Sequence, residues 1–381
     1  MEETIVLVVG AGPAGLGIAA CLSQKCIPYI VLEREDCCAS LWKKRAYDRC
    51  HLHLAKEFCS FPLKPHAPEA NKYMCKDDFI DYIDEYVEQF EITPRYYHSV
   101  ESASFDENNG KWLVEARHTE NNVTKLFVSS FLVVASGENG KGYIPDIPGL
   151  NDFKGDFMHS SEYKSGRQFR DKDVLVVGCG NSGMEISYDL SNSGANTSTV
   201  IRNPVHVVDR EMVFVAMQLV KYLSLSTVDA LVSFASKLKY GDLSKYGIFR
   251  PKEGPFFLKI NKGRSPVIDV GTIAKIQSGD IKVLPGIERI NKNKVVFKDK
   301  VELDFDAIIF ATGFKSTACE WLKDYDYILK DDGFPKNRCP NHWKGKNKLY
   351  CAGLSRMGIQ GATKDAIAIT DDIEMVLGNP N

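Results

Sequence analysis

Two glycine triplets are the residues of this chain whose types and spacing most clearly indicate a chemistry. Each follows an apolar run, precedes a helix start and has the pattern Gly-x-Gly-x-x-Gly. The first glycine permits a tight turn, the second lets the backbone approach a pyrophosphate, and the third lets the helix pack on the strand. One copy is weak evidence, but two copies predict two dinucleotide sites. The glycines are Gly10, Gly12, Gly15, Gly178, Gly180 and Gly183.

A charged residue follows each triplet at a similar distance. Glu33 lies 18 residues after Gly15, where a carboxylate bonds the adenosine ribose hydroxyls and would repel a 2′-phosphate. This favours FAD or NAD at the first site. Arg202 lies 19 residues after Gly183, where a guanidinium can bind a 2′-phosphate, so NADP is favoured there. The alternative for Arg202 is an exposed arginine at a strand end.

Composition excludes several other classes of protein. A net charge of −2 argues against nucleic acid or an anionic membrane as the main partner. The acidic start indicates no signal peptide, and no apolar run reaches the ~20 residues of a transmembrane helix. The 11 cysteines lack metal-ligand and C-x-x-C spacing, so no metal site is predicted. They indicate a cytoplasmic protein with reduced thiols, and association with the surface of the endoplasmic reticulum stays open.

Apolar periodicity predicts the elements around the first triplet. Residues 34–66 lack periodicity and suit either a segment over a cofactor or a surface loop. A strand before Ala352 leads to a helix from Ala362, whose N-terminus could face a flavin. The other predicted elements are strands Ile5–Val9, Tyr29–Leu32 and Phe131–Ala135, helices Leu16–Gln24 and Lys76–Phe90, and a small antiparallel sheet of Val100–Phe105, Lys111–Arg117 and Lys125–Val128.

A second set of elements surrounds the second triplet. Residues 211–240 are apolar and helical, and serve equally well as a lid or as packing between domains. Ala135-Ser-Gly137 and Ala311-Thr-Gly313 both end buried strands and are predicted to be places where the chain crosses between domains. The predicted strands are Val174–Gly178, Thr199–Ile201, Pro266–Val270, Gly279–Val283, Phe305–Phe310 and Lys348–Ala352.

Together these elements predict an α/β fold with two Rossmann-like dinucleotide-binding domains, the smaller NADPH domain being inserted in the FAD domain. The expected ranges are 1–150 and 306–381 for the FAD domain and 151–305 for the NADPH domain. The simplest use of two such sites is reduction of FAD by NADPH, with the flavin carrying the chemistry. The reduced flavin could then react with a protein partner or with dioxygen.

The residues ahead of the second triplet resemble a known motif. Phe153-x-Gly155-x-x-x-His159-x-x-x-Tyr163 resembles the identifying motif of the flavin-containing monooxygenases, and Tyr163-Lys164 differs from the Trp-Pro ending of the Baeyer–Villiger enzymes. The resemblance also includes Ser40-Leu-Trp42, Ser136-Gly-Glu-Asn139, Gly178-Cys-Gly-Asn-Ser-Gly183 and Ala311-Thr-Gly-Phe314. More narrowly, stretches 41–48, 52–59, 266–271 and 275–282 resemble the plant YUCCA-type enzymes.

This resemblance implies oxidative decarboxylation of indole-3-pyruvate to indole-3-acetate, an auxin. NADPH would reduce FAD, dioxygen would form a C4a-peroxide, and the peroxide would attack the 2-keto carbon. The substrate would be an aromatic 2-keto acid. The alternatives are a flavin monooxygenase of thioethers or amines, or a non-enzymatic flavoprotein scaffold or redox sensor.

The resemblance also assigns site residues. It places Leu41, Trp42 and Ala362 at FAD, places Asn181 and Ser182 at NADP, and implies that His159 and Tyr163 organise the linker and NADP. His53 stands where amine-oxidising relatives have an asparagine near the flavin, which argues against general amine oxygenation. No catalytic residue is assigned, since the flavin carries the chemistry, and His53 is a candidate residue near the flavin. Other departures from the family pattern are Ala55, Ser136, Gln360 and Thr363.

Overall fold

The computed structural model describes residues 1–378, which form two compact units. The first unit contains residues 1–44, 56–141 and 314 onward, and the second contains residues 45–55 and 142–313. Most of the second unit is thus inserted in the chain of the first. The chain passes between the units at 44/45, 55/56, 141/142 and 313/314, whereas the sequence suggested crossings only at 150/151 and 305/306. Residues 379–381 of the predicted C-terminal part lie outside the described residues.

In chain order the strands are β1 (Glu2–Val9), β2 (Tyr29–Leu32), β3 (His98–Asp106), β4 (Lys111–His118), β5 (Thr124–Val134), β6 (Lys141–Gly142), β7 (Asp156–His159), β8 (Asp173–Val177), β9 (Asn196–Val200), β10 (Val207–Val208), β11 (Val267–Ile268), β12 (Ile281–Leu284), β13 (Ile287–Asn291), β14 (Lys294–Phe297), β15 (Glu302–Asp304), β16 (Ala307–Phe310), β17 (Phe314–Lys315) and β18 (Leu349–Cys351).

The α-helices are α1 (Pro13–Gln24), α2 (Lys76–Gln89), α3 (Asn181–Asn192), α4 (Arg210–Leu219), α5 (Leu225–Tyr240), α6 (Pro255–Lys262), α7 (Thr272–Ser278), α8 (Ala318–Trp321) and α9 (Gly358–Gly378). A helix that spans a membrane needs about 20 predominantly apolar residues. No helix within residues 1–378 combines that length with sufficient apolar character.

The first unit is built on a six-stranded sheet in which β1 lies between β2 and β5. Both of these neighbours are parallel to β1, as is expected where a helix such as α1 connects consecutive strands. Small residues along α1 allow it to pack closely, and it lies against α9. The carboxyl ends of β1 and β2 therefore meet at the same sheet edge, where dinucleotide sites occur.

Strand β5 differs from the sequence prediction. The sequence suggested a separate antiparallel sheet ending at Val128 and a new strand from Phe131, but β5 is one continuous strand across both segments. Its N-terminal part pairs antiparallel with β4, and its C-terminal part pairs parallel with β18. The prediction was wrong because pairing with β1 continues through the buried Ser129, whose polar side chain interrupts only the apolar pattern.

The second unit is built on a five-stranded parallel sheet with the order β12-β9-β8-β16-β7. Helix α3 connects β8 to β9, which repeats the strand–glycine–helix–strand arrangement of the first unit. Both units are therefore Rossmann-like, and the predicted α/β fold class is confirmed. A separate antiparallel ribbon contains β13, β14 and β15.

Two strands of the second unit lie elsewhere than expected. The segment Pro266–Val270 contains only the short β11, which pairs with β10 outside the five-stranded sheet. Strand β16, which the 305/306 boundary assigned to the first domain, is paired between β8 and β7. Its four residues are buried, and apolar composition alone does not tell which of the two sheets a strand joins. The predicted helical region 211–240 is confirmed as α4 and α5.

The second and third glycines of the second loop predict contrasting effects of alanine substitution. A Cβ at Gly183 would lie 2.0 Å from the Gly178 carbonyl oxygen, whereas a Cβ at Gly180 would meet no atom within 4 Å. We expect Gly183→Ala to lower the free energy of unfolding by about 3 kcal/mol, because helix and loop must separate. Gly180→Ala is the matched control and should change it little. Denaturant unfolding measures both; equal stabilities would contradict this packing.

Candidate dinucleotide-binding sites

The first glycine loop makes a closely packed turn between β1 and α1. Gly10 has a φ of +110°, and a Cβ there would lie 2.5 Å from the Ala135 carbonyl oxygen. A Cβ at Gly15 would lie 1.9 Å from the Gly10 carbonyl oxygen, so α1 rests directly on the turn. Gly12 caps the helix and has open space where a side chain would project. A pyrophosphate can therefore approach the backbone of this helix N-terminus.

Glu33 is held against this loop. The Ala11 amide donates to Glu33 Oε2 over 2.8 Å, and the Glu35 amide donates to Oε1 over 3.0 Å. Burial raises the pKa of the carboxyl, although the two backbone hydrogen bonds oppose the rise. Each carboxylate oxygen has a second lone pair, so both can also accept from ribose hydroxyls. The geometry suits the adenosine end of a dinucleotide without a 2′-phosphate.

The segment Ala135-Ser-Gly137 packs directly against the first glycine loop. Besides the close approach of Ala135 to Gly10, the Ser136 Cα would lie 3.2 Å from a Cβ at that glycine. The Ser136 hydroxyl is buried and has no hydrogen-bond partner among the described residues. A buried hydroxyl without a partner is costly, and a bound polar ligand would satisfy it. Open space at Gly12 and this hydroxyl both fit a bound dinucleotide.

The segment predicted to cover a cofactor does contact the first loop. The Ala39 amide donates to the Ala11 carbonyl oxygen over 2.9 Å, and Ala39 itself has a φ of +50°. Leu41 and Trp42 then begin a single π-helical turn, and both are half-buried. The Trp42 ring packs edge-on against Phe79 with 4.8 Å between centroids. Helix α2 thus holds Trp42 in place through Phe79. Trp42 follows shortly after Ala39, the residue that contacts the first glycine loop.

The C-terminal helix begins earlier than the sequence suggested. Because α9 starts at Gly358, Ala362 lies in its second turn and is not at the helix N-terminus. Glycines at 358 and 361 lower helix propensity, which misplaced the predicted start. Ala362 is buried, and its Cβ would lie 3.7 Å from a Cβ at Gly353. In the structure, Ala362 therefore packs closely against Gly353.

The second loop repeats the geometry of the first. Gly178 has a φ of +116°, and a Cβ there would lie 2.4 Å from the Ala311 carbonyl oxygen. Ala311-Thr-Gly313 therefore supports this loop as Ala135-Ser-Gly137 supports the other. Gly180 caps α3 and faces open space, and Ser182 is half-buried in the first turn. This helix N-terminus is a second candidate site for a pyrophosphate.

Two arginines place positive charge beside the second loop. Arg202 follows β9 and is exposed, with no ion pair among the described residues. Arg264 Nη2 donates to the Pro204 carbonyl oxygen over 2.7 Å, which brings a second guanidinium to the same segment. Burial raises the pKa of the Cys179 thiol within the loop, and the charges of Arg264 and Arg202 partly oppose the rise. The pair suits a phosphate group near the loop.

His53 and Asn181 form a half-buried hydrogen-bond network at the start of α3. The Asn181 amide approaches His53 Nδ1 at 3.3 Å, and its Oδ1 accepts from the Ile268 amide over 2.9 Å. With Nδ1 as acceptor, His53 Nε2 donates to Glu185 Oε1 over 2.9 Å. Both ring nitrogens of His53 thus have protein partners. The Asn181 side chain links the backbone at Ile268 to the second glycine loop.

Glu185 is the centre of that network. It is 1% exposed, and its Oε2 accepts from the Tyr47 hydroxyl over 2.8 Å. Burial alone would raise the pKa of this carboxyl, but hydrogen bonds from His53 and Tyr47 outweigh it and hold the pKa below its ordinary value. The carboxylate is therefore ionised at neutral pH and ties residues 47 and 53 to α3.

Phe153 and Gly155 of the recognised motif are packing residues. Phe153 belongs to the hydrophobic core under the five-stranded sheet. A Cβ at Gly155 would lie 2.3 Å from the Asp306 carbonyl oxygen and 2.7 Å from the Phe153 ring. Only glycine therefore allows the chain to turn into β7 beside β16.

His159 and Tyr163 make buried hydrogen bonds within the second unit. His159 Nε2 donates to the Gly313 carbonyl oxygen over 2.9 Å, and burial lowers the pKa of the ring. The Tyr163 hydroxyl donates to Asp189 Oδ2 over 2.5 Å, and burial raises its pKa far above the usual range. His159 therefore anchors the strand end that supports the second loop, and Tyr163 anchors α3.

Sequence reasoning missed Glu185, Asp189 and Arg264. Glu185 and Asp189 lie one helical turn apart on α3, and the position of these acids among apolar residues of the helix gave a weak signal that they have partners. Arg264 lies far from Gly183 in sequence, so no spacing rule could have connected it with the loop. Among residues 1–378, no group of three or more His, Cys, Asp and Glu side chains could hold a metal ion.

Comparison with known proteins gives one family. The model of the family described as flavin-binding monooxygenase-like matches residues 3–325. The chain is 56% identical over 376 residues to a probable indole-3-pyruvate monooxygenase, YUCCA10 of Arabidopsis thaliana, covering 98% of each chain. It is 46% identical to another, YUCCA9 of the same plant, covering 96% of this chain and 88% of the relative.

A solved structure is similar over nearly the whole chain. OTEMO, in a complex with FAD and NADP, matches with a TM-score of 0.77 at 17% identity, covering 99% of this chain and 85% of OTEMO. At that identity the likeness supports the fold only. The resemblance noted from Phe153 to Tyr163 and from the longer stretches is confirmed by the relatives. This chain belongs to the YUCCA-type flavin-binding monooxygenases.

Proposed function

We propose that this chain is an NADPH- and FAD-dependent monooxygenase that converts indole-3-pyruvate to indole-3-acetate, an auxin. The observation that carries the proposal is the 56% identity to YUCCA10, which extends over 98% of both chains. The match therefore leaves out almost none of either chain. Two glycine loops with different charged neighbours, Glu33 and Arg202, support the use of two different dinucleotides.

The proposed reaction is balanced by one NADPH and one dioxygen. When bound, FAD accepts the electrons of NADPH and activates dioxygen. The substrate loses its carboxyl carbon as carbon dioxide, and its keto carbon becomes the carboxyl carbon of the product. One oxygen atom enters that new carboxylate, and the other leaves as water. The protein must bind both nucleotides, orient the keto acid and exclude water from the reacting atoms.

We assign FAD to the first loop. Gly10, Gly12 and Gly15 would receive its pyrophosphate at the N-terminus of α1, and Glu33 would accept from its ribose hydroxyls. This assignment is supported by the open space at Gly12 and the backbone bonds that orient Glu33. Ser136 would donate to the same ligand. Leu41, Trp42 and Ala362 are assigned to the walls of this site.

We assign NADPH to the second loop. Gly178, Gly180, Ser182 and Gly183 would receive its pyrophosphate through their backbone, and Arg202 would bind the 2′-phosphate. Arg264 is added to the site because its guanidinium is fixed beside Pro204. Asn181 is assigned a supporting role, since both ends of its amide already have partners.

His53 is proposed as a positioning residue. Its hydrogen bonds to Glu185 and Asn181 support a role in holding the second loop at the start of α3. His159 and Tyr163 are assigned the same kind of role, through Gly313 and Asp189. We also place the enzyme in the cytoplasm, because all 11 cysteines are free thiols.

Product analysis tests the reaction. With FAD-loaded protein, NADPH and labelled dioxygen (¹⁸O₂), indole-3-pyruvate should give indole-3-acetate carrying one labelled oxygen, detected by mass spectrometry. A thioether and a tertiary amine serve as parallel substrates. NADPH consumption that produces a sulfoxide or N-oxide and no indole-3-acetate would contradict the proposal. A flavin that NADPH does not bleach would instead indicate a non-enzymatic flavoprotein.

Arg202→Ala tests the nucleotide assignment. Loss of a charged hydrogen-bond pair to the 2′-phosphate should raise KM for NADPH roughly 10- to 100-fold. KM for NADH should change little, because NADH lacks that phosphate. Steady-state kinetics with both nucleotides measure the selectivity, and Arg289→Ala is the control because Arg289 is on the separate antiparallel ribbon. Equal increases of KM for both nucleotides would rule out this role.

A further inference from the structure

Helix α5 presents an apolar face to solvent. Thr227, Leu231, Phe234 and Leu238 fall within an arc of about 60° on its surface, at 3.6 residues per turn. The three apolar side chains are 47%, 62% and 72% exposed. The opposite face is buried and includes the polar Asp229 and Ser236. An exposed helix face is normally polar, so this distribution indicates a face that has a partner.

Neighbouring helices extend the exposed apolar surface. Asp229 of α5 accepts from the Phe256 amide over 2.8 Å and from the Phe257 amide over 3.0 Å, which caps α6 and fixes it against α5. Helix α4 also packs against α5. We use the term apolar surface for the large exposed side chains of residues 210–264, which are Val215, Val220, Tyr222, Leu223, Leu231, Phe234, Leu238, Phe249, Phe257 and Ile260.

This segment is also strongly basic. Residues 210–264 contain ten Lys and Arg but only four Asp and Glu, a net charge of +6, so the rest of the chain carries −8 of the overall −2. One of the four acids, Asp229, is buried. The exposed lysines that have no ion pair among the described residues are Lys221, Lys237, Lys245 and Lys252. On α5, Lys237 lies at the margin of the apolar stripe.

We propose that the apolar surface docks on an anionic phospholipid bilayer. Exposed apolar side chains flanked by lysines are the combination that inserts shallowly among lipid headgroups without spanning the membrane. A second copy is disfavoured, because a two-fold interface through this surface would bring two segments of +6 together. The whole-chain net charge of −2 argued against an anionic membrane as a partner. That value is the sum of a basic segment and an acidic remainder, so it conceals the basic segment. The proposal is independent of the substrate.

Vesicle flotation of the FAD-loaded full chain tests this docking. The protein should float with vesicles of phosphatidylcholine and phosphatidylserine, should bind pure phosphatidylcholine weakly, and should be released by high salt. Phe234→Ser with Leu238→Ser should weaken binding roughly tenfold for each side chain removed from lipid contact. The matched control is Val123→Ser with Met375→Ser, two side chains that are 59% and 63% exposed elsewhere. That control should float like the unaltered protein.

Several results would overturn the proposal. They are absence of flotation with either vesicle, equal flotation with both, or unchanged binding of the Phe234→Ser, Leu238→Ser variant. Sedimentation velocity tests the alternative that a second copy of the chain covers the surface. If the unaltered protein is a dimer and this variant is a monomer, the surface is a dimer interface. FAD absorbance and melting temperature verify that both double variants are folded. The salt dependence of the unaltered protein tests the charge contribution without any variant.

Discussion

A direct contact between two glycines, made once in each unit, is the constraint on which the nucleotide sites depend. Gly15 rests on the carbonyl oxygen of Gly10, and Gly183 rests on that of Gly178, at distances that exclude any Cβ. The contact sets where each helix begins and directs its N-terminal amides toward the sheet edge. A neighbouring strand end, at Ala135 or Ala311, supports each turn. The close packing that forms each turn thus also leaves the helix N-terminus open to a pyrophosphate.

Charge beside each loop distinguishes two otherwise similar sites. Glu33 is bonded to the loop backbone, and its carboxylate would repel a ribose phosphate. At the second loop, Arg202 and the backbone-anchored Arg264 provide cations near the equivalent position. Under the proposed assignment, the same supersecondary unit would select different dinucleotides through a few side chains at strand ends. Dinucleotides bound at the two loops would together supply the redox chemistry of one oxidation, which neither site would support alone.

The sequence predicted most strongly what depends on local pattern. Glycine spacing, strand Tyr29–Leu32 and the positions of Glu33 and Arg202 follow from short-range rules. Tertiary packing decided the rest. Ser129 lies within a strand because β1 pairs through it, and residue 361 of α9 is a glycine because a Cβ there would lie 2.4 Å from Ser355 Oγ. The Glu185 network and Arg264 join distant segments, so a single sequence contains no periodicity that reveals them.

The most direct test of the central claim is a crystal structure of the protein with FAD and NADP bound. We expect each pyrophosphate at the N-terminus of its helix, with the FAD ribose bonded to Glu33 and the NADP 2′-phosphate bonded to Arg202. FAD bound over Gly178–Gly183, or a 2′-phosphate remote from Arg202, would contradict the assignment of the two loops.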